Sequence, residues 1–187
     1  MTLKKIVIGT LIAISALILY VVIMFIAAFG GFNFLLNVPE PEIKYGEFPC
    51  ALAYEVDGEI KTIEDIIVCE FDGFKVVGEA GKYRKWKTYL KSGNEDMTLL
   101  DLRPLNEKNE FGHTMLEFFF SYGNAEYYMG DTQRKSIPHI ADYVEYKYQT
   151  VDGNIGGSAY SNEEAYEKYK IRLISWEAAP PIENEFK

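Results

Sequence analysis

One stretch of this chain combines cations with aromatic rings at close spacing. Lys82, Arg84, Lys85, Lys87 and Lys91 interleave with Tyr83, Trp86 and Tyr89. Such cations meet phosphates and carboxylates, and the rings between them stack on sugars or bases. An anionic wall polymer or a lipid headgroup is the ligand class this pattern serves, with Lys82, Arg84, Lys85, Trp86 and Lys87 as the candidate site. The competing reading is an exposed edge strand guarded by lysines against unwanted sheet pairing.

A second candidate is a calcium site over Asp152 to Glu163. Read as a twelve-residue loop, this segment resembles that of the EF-hand family. Asp152, Asn154, Ser158 and Glu163 take ligand positions, and Gly157 takes the sharp turn. It departs from the pattern at Gly156, which offers no side-chain ligand, and at Ala159, where a larger apolar residue belongs. A glycine-rich turn followed by a capped helix accounts for the same residues without metal.

Cys50 and Cys69 are the third candidate. A disulfide persists outside the cell. An Asp57-Gly58 hairpin turn sets Cys50 opposite Asp65 and Cys69 opposite Gly46. The two sulfurs are then offset by about 13 Å along the strands at about 3.3 Å per residue. A disulfide needs Cα atoms within about 7 Å, so it requires a bulge, and this register favours two buried thiols. His113 and His139 are the only histidines, which excludes a multi-histidine zinc centre. No nucleophile elbow, phosphate-binding glycine loop or HExxH motif occurs. Acidic residues number 28, yet no spacing singles out a catalytic pair. Catalysis is therefore the minor expectation; its form would be an envelope hydrolase using paired carboxylates.

These residues need elements to hold them. From Phe48 onward, apolar residues alternate with polar ones and turn signals recur every 8–12 residues. Phe48–Val56 and Glu59–Phe71 flank Asp57-Gly58. A turn at Asp72-Gly73 leads to a strand over Phe74–Val77. Trp86–Lys91 and Met97–Arg103 flank Ser92-Gly93-Asn94; Thr114–Tyr122 and Ala125–Met129 flank Gly123-Asn124. Tyr143–Val151 and Ile171–Trp176 complete the set. The spacing of Tyr83, Trp86 and Leu90 also fits a helix, but the alternation of Trp86, Thr88 and Leu90 favours a strand. Ser161-Asn162-Glu163-Glu164 is a capping box that opens a helix over 162–170, with Tyr166 and Tyr169 toward the sheet. The pattern predicts a mainly β fold: an antiparallel sandwich or barrel-like sheet with one short C-terminal helix.

Ile6–Phe29 is uncharged and almost wholly apolar. As a helix it spans about 36 Å, enough for a bilayer core of about 30 Å. Its length exceeds the apolar core of a cleaved signal peptide, so it reads as an uncleaved signal-anchor. Lys4 and Lys5 precede it and Glu40, Glu42 and Glu47 follow, which sets the N-terminus in the cytoplasm and the domain outside. Residues 1–5 form the cytoplasmic stub, 6–29 the anchor, 30–46 a linker and 47–187 the outer domain. Gly30-Gly31 ends the anchor, Phe32, Phe34, Leu35 and Leu36 rest at the interface, and Pro39-Glu40-Pro41-Glu42 is a stiff spacer. The chain's net charge of −9 argues against nucleic acid as a partner.

Cys69-Glu70-Phe71-Asp72-Gly73, Tyr127-Tyr128-Met129-Gly130-Asp131 and the tail from Ile174 to Glu183 are distinctive strings. They resemble uncharacterised single-pass membrane-anchored proteins of low-GC Gram-positive bacteria. That resemblance implies an envelope location and no particular activity. The expectation is a membrane-anchored, non-catalytic binding or assembly component. Its partner would be an envelope protein or an anionic wall polymer, and no cofactor is expected apart from the calcium weighed above.

Overall fold

A computed structural model describes residues 3–28, 37–77, 81–133 and 142–187. Gly30-Gly31, Phe32, Phe34, Leu35, Leu36 and His139 lie outside them. The contacts divide the chain into two compact units. One is Met1–Glu40 with Asp72–Lys85; the other is Pro41–Phe71 with Trp86–Lys187.

The first unit contains α1 (Leu3–Ala28). Within it, Val7–Ile26 is long and apolar enough to cross a membrane, with a mean hydropathy of 2.7. Its large apolar side chains are exposed on every side, which suits an apolar medium rather than one packed face. Ser15 satisfies its hydroxyl by donating to the Ile12 carbonyl at 2.8 Å, as hydroxyls in apolar helices do.

The second unit is mainly β. Four strands form one sheet: β1 (Tyr45–Val56), β2 (Glu59–Val77), β3 (Gly81–Leu90) and β8 (Ile171–Ala178), in the order β3-β2-β1-β8. The far ends of β2 and β3 extend into the first unit. The second sheet has the order β4-β5-β6-β7, from β4 (Met97–Asp101), β5 (Thr114–Phe120), β6 (Tyr143–Gln149) and β7 (Ile155–Ser161). Both sheets are antiparallel. The predicted mainly β architecture, apolar N-terminal helix and short C-terminal helix are all present.

β1 shows how composition selects this arrangement. Phe48, Cys50, Leu52, Tyr54 and Val56 point into the core and are buried. Pro49, Ala51 and Ala53 occupy the alternate face. Asp57 and Gly58 adopt φ of 53° and 83°, the left-handed pair of a type I′ turn whose twist matches the flanking strands. The register follows from the turn: Cys50 faces Asp65 and Cys69 faces Gly46, as expected. Core residues of both sheets meet in one cluster that includes Leu52, Ile67, Phe118, Phe120, Tyr146 and Ile171.

α3 (Asn162–Tyr169) has the predicted capping box. Ser161 Oγ accepts from the Glu164 amide while the Glu164 carboxylate accepts from the Ser161 amide. Tyr169 packs edge-on against Phe118, and Tyr166 donates to Glu55 at 3.3 Å.

Four local expectations differ from the structure. Gly73 has φ of 81° but does not end the strand; β2 continues through it to Val77. A glycine in a strand interior accommodates a kink as readily as a turn. Ser92-Gly93-Asn94 joins β3 to β4 across two sheets rather than closing a hairpin. The Asp65 carboxylate accepts the Ser92 amide there and holds the chain as it leaves. Ala125–Tyr128 is a single helical turn, α2, because Asn124 Oδ1 accepts from the Tyr127 amide at 3.1 Å. Asn124 is thus a helix cap. Finally, β7 is a strand although Gly156, Gly157, Ser158 and Ala159 give it little apolar content. The Tyr148 ring covers Gly156 so closely that a Cβ there would lie 2.5 Å from it.

The spacer also takes a defined place from Pro41 onward. The Glu42 amide donates to the Glu185 carbonyl, and the Asn184 side chain bonds both backbone groups of Ile43. The C-terminal tail thereby clips the start of the β body.

Gly130 marks where that tail packs. Its φ is 62°, and a Cβ would stand 2.5 Å from the Ile182 carbonyl oxygen. Gly153 has a similar φ of 83° but open space around it. Gly130→Ala is expected to lower stability by about 2 kcal/mol or more, through strain plus a backbone clash. Gly153→Ala is expected to cost about 1 kcal/mol through strain alone. Urea midpoints of the two variants check the difference.

Candidate functional site

The cations of β3 belong to an edge strand. Lys82, Arg84 and Lys85 lie in the first unit. Arg84 is buried and donates to the Pro39 carbonyl at 3.1 Å. Lys85 pairs with Asp72 at 2.5 Å, and Lys82 sits over the Phe74 ring. Trp86 and Lys87 lie in the second unit. The Trp86 indole N–H donates to Asp131 at 2.9 Å, and its ring meets the edge of Phe71. Asp131 is only 1% exposed and also caps the Gln133 amide, so its charge is held by donors as buried charges must be. Tyr89 donates to Glu70, and Lys91 pairs with Glu47 at 2.8 Å. The five candidate residues are divided between the two units. Arg84 and Trp86 serve packing, and Lys85 is matched by a neighbouring acid.

The structure does not bring the four candidate calcium ligands together. Asp152 and Asn154 stand in the turn before β7, Ser158 lies within it, and Glu163 follows it on α3. Seven residues of strand span about 23 Å, so these ligands cannot close around one ion. Among the described residues, no three His, Cys, Asp or Glu side chains gather for a metal.

Of the two cysteine readings, the structure has the one the register favours rather than the disulfide. Cys50 and Cys69 are separate buried thiols, because the hairpin register keeps them apart. Cys50 Sγ donates to the Asp65 carbonyl. Burial pushes the Cys50 thiol up to about 11, helped by the nearby Asp65 charge, and burial pushes Cys69 up to about 12. His113 stacks on Tyr148 with centroids 5.0 Å apart and serves the β5–β6 end of the second sheet.

A different feature is an open concave surface on the β body. An open groove of about 850 Å³ runs along β1 on the face away from the core. Its floor is Pro49 and Ala51. Glu64 and Ile66 of β2 form one wall, and Glu177 with Ala179 at the end of β8 forms the other. Ala51 pairs directly with Glu64 on one side and with Glu177 on the other. Directly paired residues share a face, so the two carboxylates flank Ala51 symmetrically. Their Cα atoms are two strand spacings apart, about 10 Å. Lys91 and Ser92 close one end, where Lys91 is engaged by Glu47. The Glu47 pKa is lowered because Lys91, then Tyr45, donates to it. Among the described residues, no aromatic side chain lines the groove.

Sequence reasoning placed no site here. The Asp57-Gly58 turn implies the Ala51–Glu64 pairing, but Glu177 lies far along the chain and only the β1–β8 pairing brings it opposite. The chain matches no protein-family model, no curated protein and no solved structure.

The thiols generate a prediction with a defined sign. An acid whose pKa is higher folded than unfolded stabilises the fold below the unfolded pKa, and that stability is lost as pH rises. Unfolded thiols titrate near 8.5. Stability is therefore expected to fall from about pH 9 upward through the Cys50 value of about 11. Urea midpoints measured across pH 8 to 11 check this. Folded protein at pH 8 is expected to resist maleimide, and both cysteines are expected to react once urea unfolds it. Rapid labelling of the folded chain would contradict the assignment.

Proposed function

We propose that this chain is a single-pass envelope protein whose β body docks a partner and performs no chemistry of its own. In this reading the N-terminus is cytoplasmic and the β body lies outside, at the cell membrane. Supporting this, the only two basic residues before the span, Lys4 and Lys5, flank its N-terminal side, and basic residues favour the cytoplasmic face.

One observation carries the docking reading. The groove along β1 is open, floored by small residues and walled by two glutamates. An open trough excludes no water and sets no substrate against a buried acid, but it accepts an elongated surface feature of another molecule. The anionic wall polymer weighed from sequence fits the groove poorly, because both walls repel it. A protein partner is the better match.

Hydrolysis by paired carboxylates is the second reading. It rests on the placement of Glu64 and Glu177 across Ala51, at a spacing compatible with an acid and a base on two sides of a scissile bond.

A photo-crosslinking side chain in place of Ser175 tests docking in the native envelope. Ser175 pairs with Ala53 and so lies on the groove's face of the sheet. The control position is Tyr143, exposed on the other sheet. The expected result is one stoichiometric protein adduct from position 175 and none from 143. Equal adducts from both positions, or none, overturn the reading. For hydrolysis, product release from isolated envelope polymers that vanishes in both Glu64→Gln and Glu177→Gln would establish it. Absence of release retires it.

A further inference from the structure

The groove's chemistry identifies what kind of partner fits it. We infer that it receives an extended peptide segment carrying a lysine or arginine, whose head group sits between Glu64 and Glu177 while its stem lies over Ala51 and Pro49. This inference rests on the docking reading above and gives it a ligand class.

The first support is uncompensated charge. Asp65, the third acid lining the groove, has the amides of Ile66 and Ser92 as donors, and elsewhere on the sheet Glu47 has Lys91 and Glu70 has Tyr89. Glu64 and Glu177 have no hydrogen bond or ion pair among the described residues. They stand on one face, about 10 Å apart at Cα by strand spacing, over a floor that offers no cation. A cation entering between them is attracted by both at once.

The second support is the floor itself. Pro49, Ala51, Ile66 and Ala179 present short apolar surfaces between the two charges. Lysine and arginine join a long apolar stem to a charged head. The stem matches the floor and the head matches the walls. Because Ala51 carries a single methyl, the stem can lie close to the sheet.

The third support comes from what the groove lacks. A sugar polymer is commonly held by stacking on aromatic faces, and among the described residues none lines this groove. An anionic polymer meets two carboxylates. A small free cation needs neither an apolar floor nor about 850 Å³ of open length. An extended peptide uses all three features. Its alternate side chains repeat about every 6.6 Å along a strand-like path, parallel to the β1 floor.

The test uses the full chain in nanodiscs of zwitterionic lipid and fluorescent alanine-rich decapeptides. One peptide carries a central lysine, one a central arginine and one a central norleucine. Fluorescence anisotropy is read at low and at moderate salt. The lysine and arginine peptides are expected to bind at least tenfold more tightly than the norleucine peptide. Higher salt is expected to weaken them. Glu64→Gln and Glu177→Gln are each expected to weaken binding about tenfold. Both are surface changes of nearly the same shape, so the fold is retained. Glu167→Gln with Glu183→Gln, away from the groove, is expected to leave binding unchanged.

Equal binding of the norleucine peptide overturns the inference. So does equal loss in the control pair, which would indicate only a general attraction to an acidic body. If the peptides fail while the Ser175 crosslink still captures one stoichiometric partner, the docking reading stands and the basic-segment inference alone falls. If both fail, the groove is not a docking site.

Discussion

Register in the β1–β2 hairpin is the constraint on which the rest of the β body depends. Asp57 and Gly58 both take left-handed φ, and a turn of two such residues leaves one pairing for the strands that flank it. A slip of one residue would turn Phe48, Leu52 and Tyr54 outward and bring Pro49, Ala51 and Ala53 into the core. The hydrophobic penalty is large: each buried Leu or Phe contributes about 1.5–3 kcal/mol. The same register keeps Cys50 and Cys69 apart, sets Ala51 against Glu64 and leaves a trough of small residues on the outer face. Core packing and the groove are two faces of one alternation.

Electrostatics separate the residues that hold the fold from those left for recognition. Lys147 shows the first kind. It is bound by Asp96 at 2.8 Å and Glu117 at 3.0 Å and lies over the Phe119 ring. Desolvation works against its charge, but the hydrogen bonds it donates to Asp96 and Glu117 outweigh it and raise its pKa. It thereby ties β6 to β5 and to the chain entering β4. Glu55 is buried on β1 and bound by Arg172 at 2.7 Å and by Tyr166, joining β1 to β8 and α3. Trp86 and Asp131 form a third such link. Glu64 and Glu177 take no part in these networks. Other acids, such as Glu59 and Glu163, are likewise outside these networks; Glu64 and Glu177 differ in standing on either side of Ala51 on one face of the sheet.

Much of the architecture was legible in local pattern. The long apolar helix, the β1–β2 hairpin with its pairing, the α3 cap and the alternating strands all follow from interactions between residues close in sequence. The failures share a cause. Gly73, Ser92-Gly93-Asn94 and Gly123-Asn124 are each compatible with more than one local geometry. A partner distant in sequence or a competing hydrogen bond decided between them: the Asp65 carboxylate for Ser92, the helical-turn amides for Asn124. β7 escaped notice because Gly156 has no side chain of its own to signal burial; the signal is the Tyr148 ring on the neighbouring strand. The EF-hand spacing misled for the same reason, since spacing along the chain says nothing about whether the chain between ligands is bent or extended.

By itself, the sequence determined that an uncharged helix of membrane-spanning length precedes a mainly β body, because uniform apolarity and period-two alternation are one-dimensional properties. It also determined that Cys50 and Cys69 are offset, because a two-residue turn leaves no freedom of register. Only the tertiary structure decided which charges are consumed by the fold. Lys85 and Lys91 looked like parts of a ligand site until Asp72 and Glu47 came beside them, and Glu64 looked like one acid among many until β8 brought Glu177 opposite. Ion pairing and concavity depend on distances between residues far apart in the chain, and those distances are set only when the strands pair.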